Sequence, residues 1–204
     1  PQNAALAVLQ TRDGYLWVGT QEGLARFDGL DFKVYDRTSV PSMTNGTVQA
    51  LAEDGGGALW VGTEGGGILR LKDGSWSSFR AADGLPSDIV HALLVDRKGD
   101  VWTGTYSGVG RFHGGRWTSY PVADGARPYR VRCLLEDKDG TLWAGTEGGG
   151  LFVLRGERFA RFDLSRALPD DNIRSLAQSP GGELWVGTES AGLAVLRNGA
   201  WKVF

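Results

Sequence analysis

Leu59-Trp60-Val61-Gly62-Thr63 is one of five near-identical pentapeptides in this chain. Successive side chains of an extended strand point to opposite faces, so Trp60 and Gly62 share one face. Both faces are largely apolar, which favours a sheet that is covered on both sides. The glycine removes a side chain from the face of the indole and predicts room there for a neighbouring sheet. The other copies are Leu16-Trp17-Val18-Gly19-Thr20, Val101-Trp102-Thr103-Gly104-Thr105, Leu142-Trp143-Ala144-Gly145-Thr146 and Leu184-Trp185-Val186-Gly187-Thr188.

The tryptophans of these pentapeptides recur every 41 to 43 residues, which is the length scale of a four-stranded propeller blade. In the second repeat, turn residues separate four short strands that begin near Val48, Leu59, Ile68 and Trp76. The pattern predicts an all-β propeller, one domain spanning residues 1–204. Its five blades cover approximately residues 1–44, 45–86, 87–128, 129–169 and 170–204. A closed ring of five blades is the preferred interpretation, and an arc of a larger propeller is the alternative.

Three further columns repeat with structural roles. A short polar residue precedes a glycine by three after each first strand, which predicts Asx or Ser/Thr turns. Calcium sites there are disfavoured, because one carboxylate in each loop is too few ligands. Paired aromatics in the fourth strands predict packing between blades rather than carbohydrate stacking. Proline marks the connections between blades. The turn pairs are Thr11/Gly14, Asp54/Gly57, Asp96/Gly99, Asp137/Gly140 and Ser179/Gly182; the prolines are Pro41, Pro86, Pro128 and Pro169.

Composition excludes several classes of function. The chain has 22 basic and 24 acidic residues, so no strong positive field attracts nucleic acid. Cys133 is the only cysteine, which excludes an internal disulfide and a cysteine metal cluster. No apolar run approaches the ~18 residues of a membrane span, and Pro1-Gln2-Asn3 does not begin a signal peptide. We expect no cofactor, no metal and no direct membrane contact by this chain.

Two polar columns predict a binding face, at the end of the blades where each second strand stops and each first strand starts. Arg132 and Arg174 could bind a carboxylate, sulfate or phosphate, while Glu64, Gln49 and Tyr106 take hydroxyl groups. Alternatively, both arginines pair with Glu147 and Glu189 without a ligand. The first column contains Gln49, His91, Arg132 and Arg174, with Leu6 as the exception; the second contains Gln21, Glu64, Tyr106, Glu147 and Glu189.

The remaining chemically reactive residues do not assemble into a catalytic pattern. His113 falls in the turn between the third and fourth strands, at the opposite end of the blade from His91. His91 is therefore disfavoured as a metal ligand. A lyase that uses His91 as its single general base is kept as a minor alternative. Cys133 occupies a column of small residues, which favours a buried packing thiol. We predict no catalytic residue.

The run Gly84-Leu85-Pro86-Ser87-Asp88, followed by Asp96, Gly99, Val101-Trp102 and Gly104-Thr105, resembles the two-component regulator propeller repeat. All five blades match it. The resemblance implies a propeller, commonly seven-bladed, in the extracytoplasmic sensor part of a bacterial histidine kinase or hybrid receptor, hence a periplasmic or extracellular location. Some members are similar to glycan sensors. This chain differs in having five repeats and no transmembrane or kinase segment.

Together these observations predict a non-catalytic propeller that senses a ligand or binds a partner. The ligand expected is a small molecule, either an acidic or a neutral saccharide, and a protein partner or homodimer is left open. One alternative is a lectin-like or protein-interaction scaffold that uses the same face. The other is a propeller lyase with His91 as its base.

Overall fold

The structure is a computed structural model that describes residues 4–125, 127–163, 170–197 and 199–204. It contains five antiparallel four-stranded sheets, each a meander of consecutive strands. A three-residue 3-10 helix, Ala81–Asp83, follows the second sheet. Within the described ranges no helix is long and apolar enough to cross a membrane. The predicted all-β propeller blades are confirmed.

The strands are numbered in chain order, four to a sheet. The first sheet contains β1 (Ala5–Gln10), β2 (Leu16–Thr20), β3 (Leu24–Phe27) and β4 (Phe32–Tyr35). The second contains β5 (Val48–Glu53), β6 (Leu59–Thr63), β7 (Ile68–Lys72) and β8 (Ser75–Phe79). The third contains β9 (Val90–Val95), β10 (Val101–Thr105), β11 (Gly108–His113) and β12 (Arg116–Tyr120). The fourth contains β13 (Arg130–Glu136), β14 (Leu142–Glu147), β15 (Leu151–Arg155) and β16 (Arg158–Phe162). The fifth contains β17 (Ile173–Gln178), β18 (Leu184–Thr188), β19 (Leu193–Arg197) and β20 (Ala200–Val203).

Each pentapeptide forms the second strand of its sheet, as predicted. Two predicted blade limits, at residues 1 and 169, lie outside the described residues. The fourth proline connection, at Pro169, lies outside them as well. The blade limits therefore stay predictions.

The glycine of each pentapeptide lets the next sheet approach closely. A Cβ atom on Gly62 would lie 2.5 Å from Cγ1 of Val90, the first residue of β9. Gly19, Gly104 and Gly145 face Val48, Val131 and Ile173 in the same way, at 2.5 to 2.8 Å. Such distances leave no space for a methyl group, so the predicted packing role of this glycine is confirmed.

In the first four sheets, the turn that follows the first strand accepts a hydrogen bond from the indole of the second strand. Asp54 accepts hydrogen bonds from the backbone amides of Gly56 and Ala58 at its Oδ1, and from Nε1 of Trp60 at its Oδ2, 2.8 Å away. Asp96 and Asp137 bind Trp102 and Trp143 at the same distance. The sequence predicted the Asx turn but not the bond to the indole, which explains the six-residue spacing between aspartate and tryptophan.

Most of the predicted aromatic pairs of the fourth strands pack between sheets. Phe32 and Phe204 are exceptions, because each is exposed and packs against a ring of its own sheet. Tyr35 meets Trp76 of the next sheet with 5.7 Å between ring centroids, and Phe162 meets Trp201 at 6.3 Å. Between the second and third sheets, Trp60 lies 6.1 Å from Trp117, and between the third and fourth sheets Tyr120 lies 6.4 Å from Phe159. These contacts extend the core outward along every interface between neighbouring sheets.

The five sheets form an open arc. Each inner strand packs against the inner strand of the next sheet, from β1 through β17, but among the described residues β17 does not pack in this way against β1. Val8 on β1 is 62% exposed and Phe204 beyond β20 is 60% exposed. At Gly187 the three atoms nearest to an added Cβ all belong to Ser175, a residue of its own sheet. The preferred interpretation of a closed ring was wrong, because closure depends on small rotations between sheets that no repeat pattern specifies.

Candidate functional site

A β-bulge occurs in every inner strand, and the first polar column occupies it. In the fourth sheet Val131 pairs with Thr146 and Cys133 pairs with Gly145, which leaves Arg132 as the extra residue. The same shift leaves Leu6, Gln49, His91 and Arg174 unpaired in the other sheets. A bulge redirects a side chain away from the regular alternation of a strand. We call these five residues the bulge column, and the residues after each Gly-Thr pair, Gln21, Glu64, Tyr106, Glu147 and Glu189, the rim column.

The two columns are joined directly in the second, fourth and fifth blades. Nε2 of Gln49 donates to Glu64 at 3.1 Å, and Arg174 pairs with Glu189. Arg132 donates to Glu147 through Nε at 2.8 Å and through Nη2. The pairs between arginine and glutamate that the sequence offered as an alternative to ligand binding are therefore formed. These hydrogen bonds from Arg132 lower the pKa of Glu147, although burial opposes the shift.

Arg130 is a site residue that the sequence analysis missed. Its guanidinium lies 4.2 Å from the ring centroid of Tyr106, and its Nη1 donates to Glu147 at 3.2 Å. The stack joins the third sheet to the fourth, and the Tyr106 ring is 42% exposed. No other repeat has an arginine at this place, so a search for repeating columns passes over it. The only signal was the run Tyr129-Arg130-Val131-Arg132 at the start of the strand.

His91 is the most unusual member of the bulge column. Its Nδ1 lies 3.5 Å from Nη1 of Arg132, and its Nε2 is buried without a hydrogen-bond partner among the described residues. Burial, followed by the charge of Arg132, lowers the pKa of His91 to about 4. The ring is therefore neutral at pH 7. Because a guanidinium only donates, its bond to Nδ1 requires the ring proton on Nε2. This tautomer leaves no free lone pair for a general base.

The predicted site residues form three groups. His91, Arg132, Glu147 and Tyr106 come together with Arg130 across the third and fourth sheets, while Gln49 with Glu64 and Arg174 with Glu189 remain within their own sheets. Blade one contributes no polar bulge residue, because Leu6 occupies it and is 39% exposed. The Gln21 side chain is exposed as well. We call the surface formed by the bulge and rim columns the mouth.

The other reactive residues lie apart from the mouth. Nδ1 of His113 lies 2.6 Å from Oδ1 of Asp100 at the opposite end of the third sheet, as expected. Burial raises the pKa of Cys133 to about 12, so its thiol is a packing group. These positions agree with the sequence-based view that neither residue belongs to the binding face.

The repeat itself identifies the family. A family model described as Two component regulator propeller matches residues 1–22, 42–65, 84–107, 125–148 and 167–190. These five segments make up more than half of the chain and include every pentapeptide. The chain belongs to the two component regulator propeller family. A search of curated proteins found no match to this propeller.

Solved structures share the fold of this two component regulator propeller at low identity. A chain described as the extracellular domain of a hybrid two component system from B. thetaiotaomicron superposes with a TM-score of 0.85 and 24% identity. The match covers 99% of this chain and 30% of that one, so the propeller spans about a third of that domain. Virginiamycin B lyase from Staphylococcus aureus superposes with a TM-score of 0.77 and 15% identity, over 100% of this chain and 72% of the lyase.

Proposed function

We propose that this chain is the ligand-sensing or interaction propeller of a bacterial two-component-type receptor, and that it catalyses no reaction. The bulge column carries the proposal. The backbone makes the same bulge in all five blades, yet the side chain there is leucine, glutamine, histidine or arginine. A position that every blade needed for its own stability would repeat its side chain, as the glycine of the pentapeptide does. The varying side chains instead suit a single ligand that lies across several blades.

The receptor assignment follows from the family and from the kind of proteins that share the fold. The family description names two component regulators, and structural relatives include domains described as extracellular parts of putative hybrid two component systems. We accordingly infer a periplasmic or extracellular location. The lyase relatives share the fold alone, at 15 to 16% identity. The bond from Arg132 to His91 disfavours a lyase that uses this histidine as its base.

The proposed ligand is an acidic or neutral saccharide. Neighbouring guanidinium and carboxylate groups, such as Arg132 with Glu147, offer donors and acceptors side by side, as vicinal hydroxyl groups require. An acidic sugar would bring a carboxylate or sulfate to the forked donors of Arg132 and Arg174. The exposed ring of Tyr106 adds a flat surface beside them.

A thermal-shift screen against neutral and acidic oligosaccharides tests this function. At a hundredfold excess over its dissociation constant, a ligand stabilises the folded chain by about 2.7 kcal/mol. We expect the shift to disappear in Arg132→Ala/Arg174→Ala. The control Arg155→Ala/Arg158→Ala removes the same charge from an exposed hairpin of the fourth sheet and should retain the shift. Equal loss in both variants, or no response to any sugar, would contradict a saccharide site at the mouth and favour an interaction scaffold.

A further inference from the structure

A cavity of about 350 Å³ lies between the first and second sheets, at the end of the blades opposite the mouth. Trp17 and Tyr35 line it from the first sheet, and Trp76 lines it from the second. Its volume falls within the range of small-molecule sites. These three aromatic rings lie beside polar and charged side chains in its wall. Arg26 and Lys33 supply positive charge to the same space.

Arg26 forms no close ion pair in the described part of the chain. Backbone hydrogen bonds from Asp31 and Leu30 lower the pKa of Asp28, and the charge of Arg26 contributes least to that shift. The Arg26 guanidinium lies 4.0 Å from the ring centroid of Tyr15 and 5.8 Å from that of Trp17. Its Nε is buried and donates no hydrogen bond to any described residue. No carboxylate of the described residues lies within 4.0 Å of the guanidinium. A buried donor without an acceptor is costly unless something else binds it.

The equivalent arginines of the next two sheets show what is missing. Arg70 lies 3.7 Å from Asp54, and although its Nε is also unbonded, its charge is balanced. Arg111 donates two hydrogen bonds to Asp100, at 3.0 and 2.6 Å. In the first blade Thr11 stands at the position of Asp54 and Tyr15 at the position of Asp100. Thr11 still accepts the indole hydrogen bond of Trp17, at 3.1 Å, but it brings no charge.

The acidic residues around the cavity leave Arg26 available. Asp13 accepts hydrogen bonds from the Thr11 hydroxyl at 2.6 Å and from the Tyr15 amide at 3.3 Å. Glu53 is bound by Arg12, through the backbone amide at 2.9 Å and through Nε at 3.3 Å. Asp73 lines the cavity from an exposed turn. The ammonium group of Lys33 lies 5.2 Å from the ring centroid of Tyr35 and, within the described ranges, forms no ion pair.

The corresponding space between the third and fourth sheets provides an internal comparison. It measures about 240 Å³ and is lined at equivalent positions by Trp102, Arg111, Glu136 and Leu142. There Asp100 neutralises the arginine. The cavity between the first and second sheets is thus the larger of the two. It also differs in that its arginine has no ion pair with a described residue.

We propose that this cavity binds a small aromatic carboxylate. The carboxylate accepts hydrogen bonds from Arg26, because a charged, planar donor pair matches it, and the ring packs against Trp76 and Trp17. The amide of the same acid has no charge and gains only the ring contacts. This site is separate from the mouth and does not depend on the proposed saccharide.

The test is a titration with 2-naphthoate, followed through the indole N–H signals in ¹⁵N–¹H NMR spectra. The Trp76 signal is assigned from Trp76→Phe. We expect this signal to move saturably with 2-naphthoate, and to respond at least about tenfold more weakly to 2-naphthamide. Thr11→Asp supplies the carboxylate that the second blade has and should weaken binding about tenfold or more without loss of the fold, as should Arg26→Gln.

Two controls separate this site from other effects. Arg70→Gln removes the equivalent arginine of the second sheet, and Arg132→Ala/Arg174→Ala alters the mouth; both should bind 2-naphthoate with unchanged affinity. Thermal melting of each variant reports whether it is folded. The proposal is overturned if the Trp76 signal does not saturate, if the amide binds equally well, or if either Thr11→Asp or Arg26→Gln retains full affinity.

Discussion

The two ends of the sheets follow opposite rules. At the turn end, Asp54, Asp96 and Asp137 each accept an indole hydrogen bond at 2.8 Å from the tryptophan six residues later. At the mouth, the same three sheets place glutamine, histidine and arginine at one backbone position. Contacts that repeat unchanged are those that each blade needs in order to pack, whereas the position with a repeated backbone and varying side chains is the one that we propose for binding. The fifth sheet marks the limit of the first rule, because Ser179 replaces aspartate there.

The first and largest effect is expected at the glycine that separates neighbouring sheets. Gly62→Val places its Cβ 2.5 Å from Cγ1 of Val90 and should lower the free energy of unfolding by about 3 kcal/mol, at the upper end of overpacking costs. Urea denaturation measures the change. Gly187→Val is the matched control in the open fifth sheet, where the three atoms nearest to a new Cβ all belong to Ser175 of the same sheet. An equal loss in both variants would show that contact between sheets is not the cause.

A smaller effect is expected at one anchoring aspartate. Asp137→Asn keeps an oxygen for the amides of Asp139 and Thr141 but turns an NH₂ group toward Nε1 of Trp143, so one buried donor loses its acceptor. We expect a loss of about 1–3 kcal/mol in the free energy of unfolding. Asp139→Asn, at the exposed neighbouring position, should change it by less than about 0.5 kcal/mol. Equal midpoints in urea would contradict the anchoring role.

Strand positions and turn types could be predicted because each depends on residues within one blade. The alternating side chains of Leu59 to Thr63 predict a strand without reference to any other blade. Asp54 and Gly57 predict the turn in the same way. The bulge could not be predicted, since Val48-Gln49-Ala50 reads as ordinary alternation until its partner strand shows the shift in register. The stack of Arg130 on Tyr106 could not be predicted either, because it joins two blades and does not repeat along the sequence.

A pH-dependent change in stability is expected from His91. Its pKa is about 4 in the folded chain, below the ~6.5 of an unperturbed histidine, so the unfolded chain binds a proton first as pH falls. Stability should therefore be independent of this residue above pH ~6.5 and decline between ~6.5 and 4. Denaturation midpoints across this window measure it. His91→Gln should remove this part of the decline, whereas His113→Gln should retain it; the opposite pattern would contradict the buried, neutral state of His91.

Acid should bring a further loss below that window. Burial raises the pKa of Asp137, but hydrogen bonds from Trp143 and from backbone amides outweigh it, so the pKa lies below its ordinary value. Burial likewise raises the pKa of Asp54, and hydrogen bonds from Trp60 and backbone amides again lower it below its ordinary value. A lowered carboxyl pKa contributes stability above ~3.9 that disappears as pH falls through the folded value. In Asp137→Asn this acid-dependent part should be smaller than in the parent, and an identical acid profile would contradict the assignment.

The most direct test of the contrast between the two ends is one urea denaturation series on two variants. D54N/D96N/D137N leaves three indole donors without acceptors. R132Q/E147Q/R174Q/E189Q removes both members of two ion pairs at the mouth, and it removes the Glu147 carboxylate that also pairs with the exposed Arg130. We predict that the first lowers the free energy of unfolding by about 3 kcal/mol or more, and that the second changes it by about 1 kcal/mol at most. Equal losses, or a larger loss in the mouth variant, would mean that the varying column is needed for the fold and would contradict its role in binding.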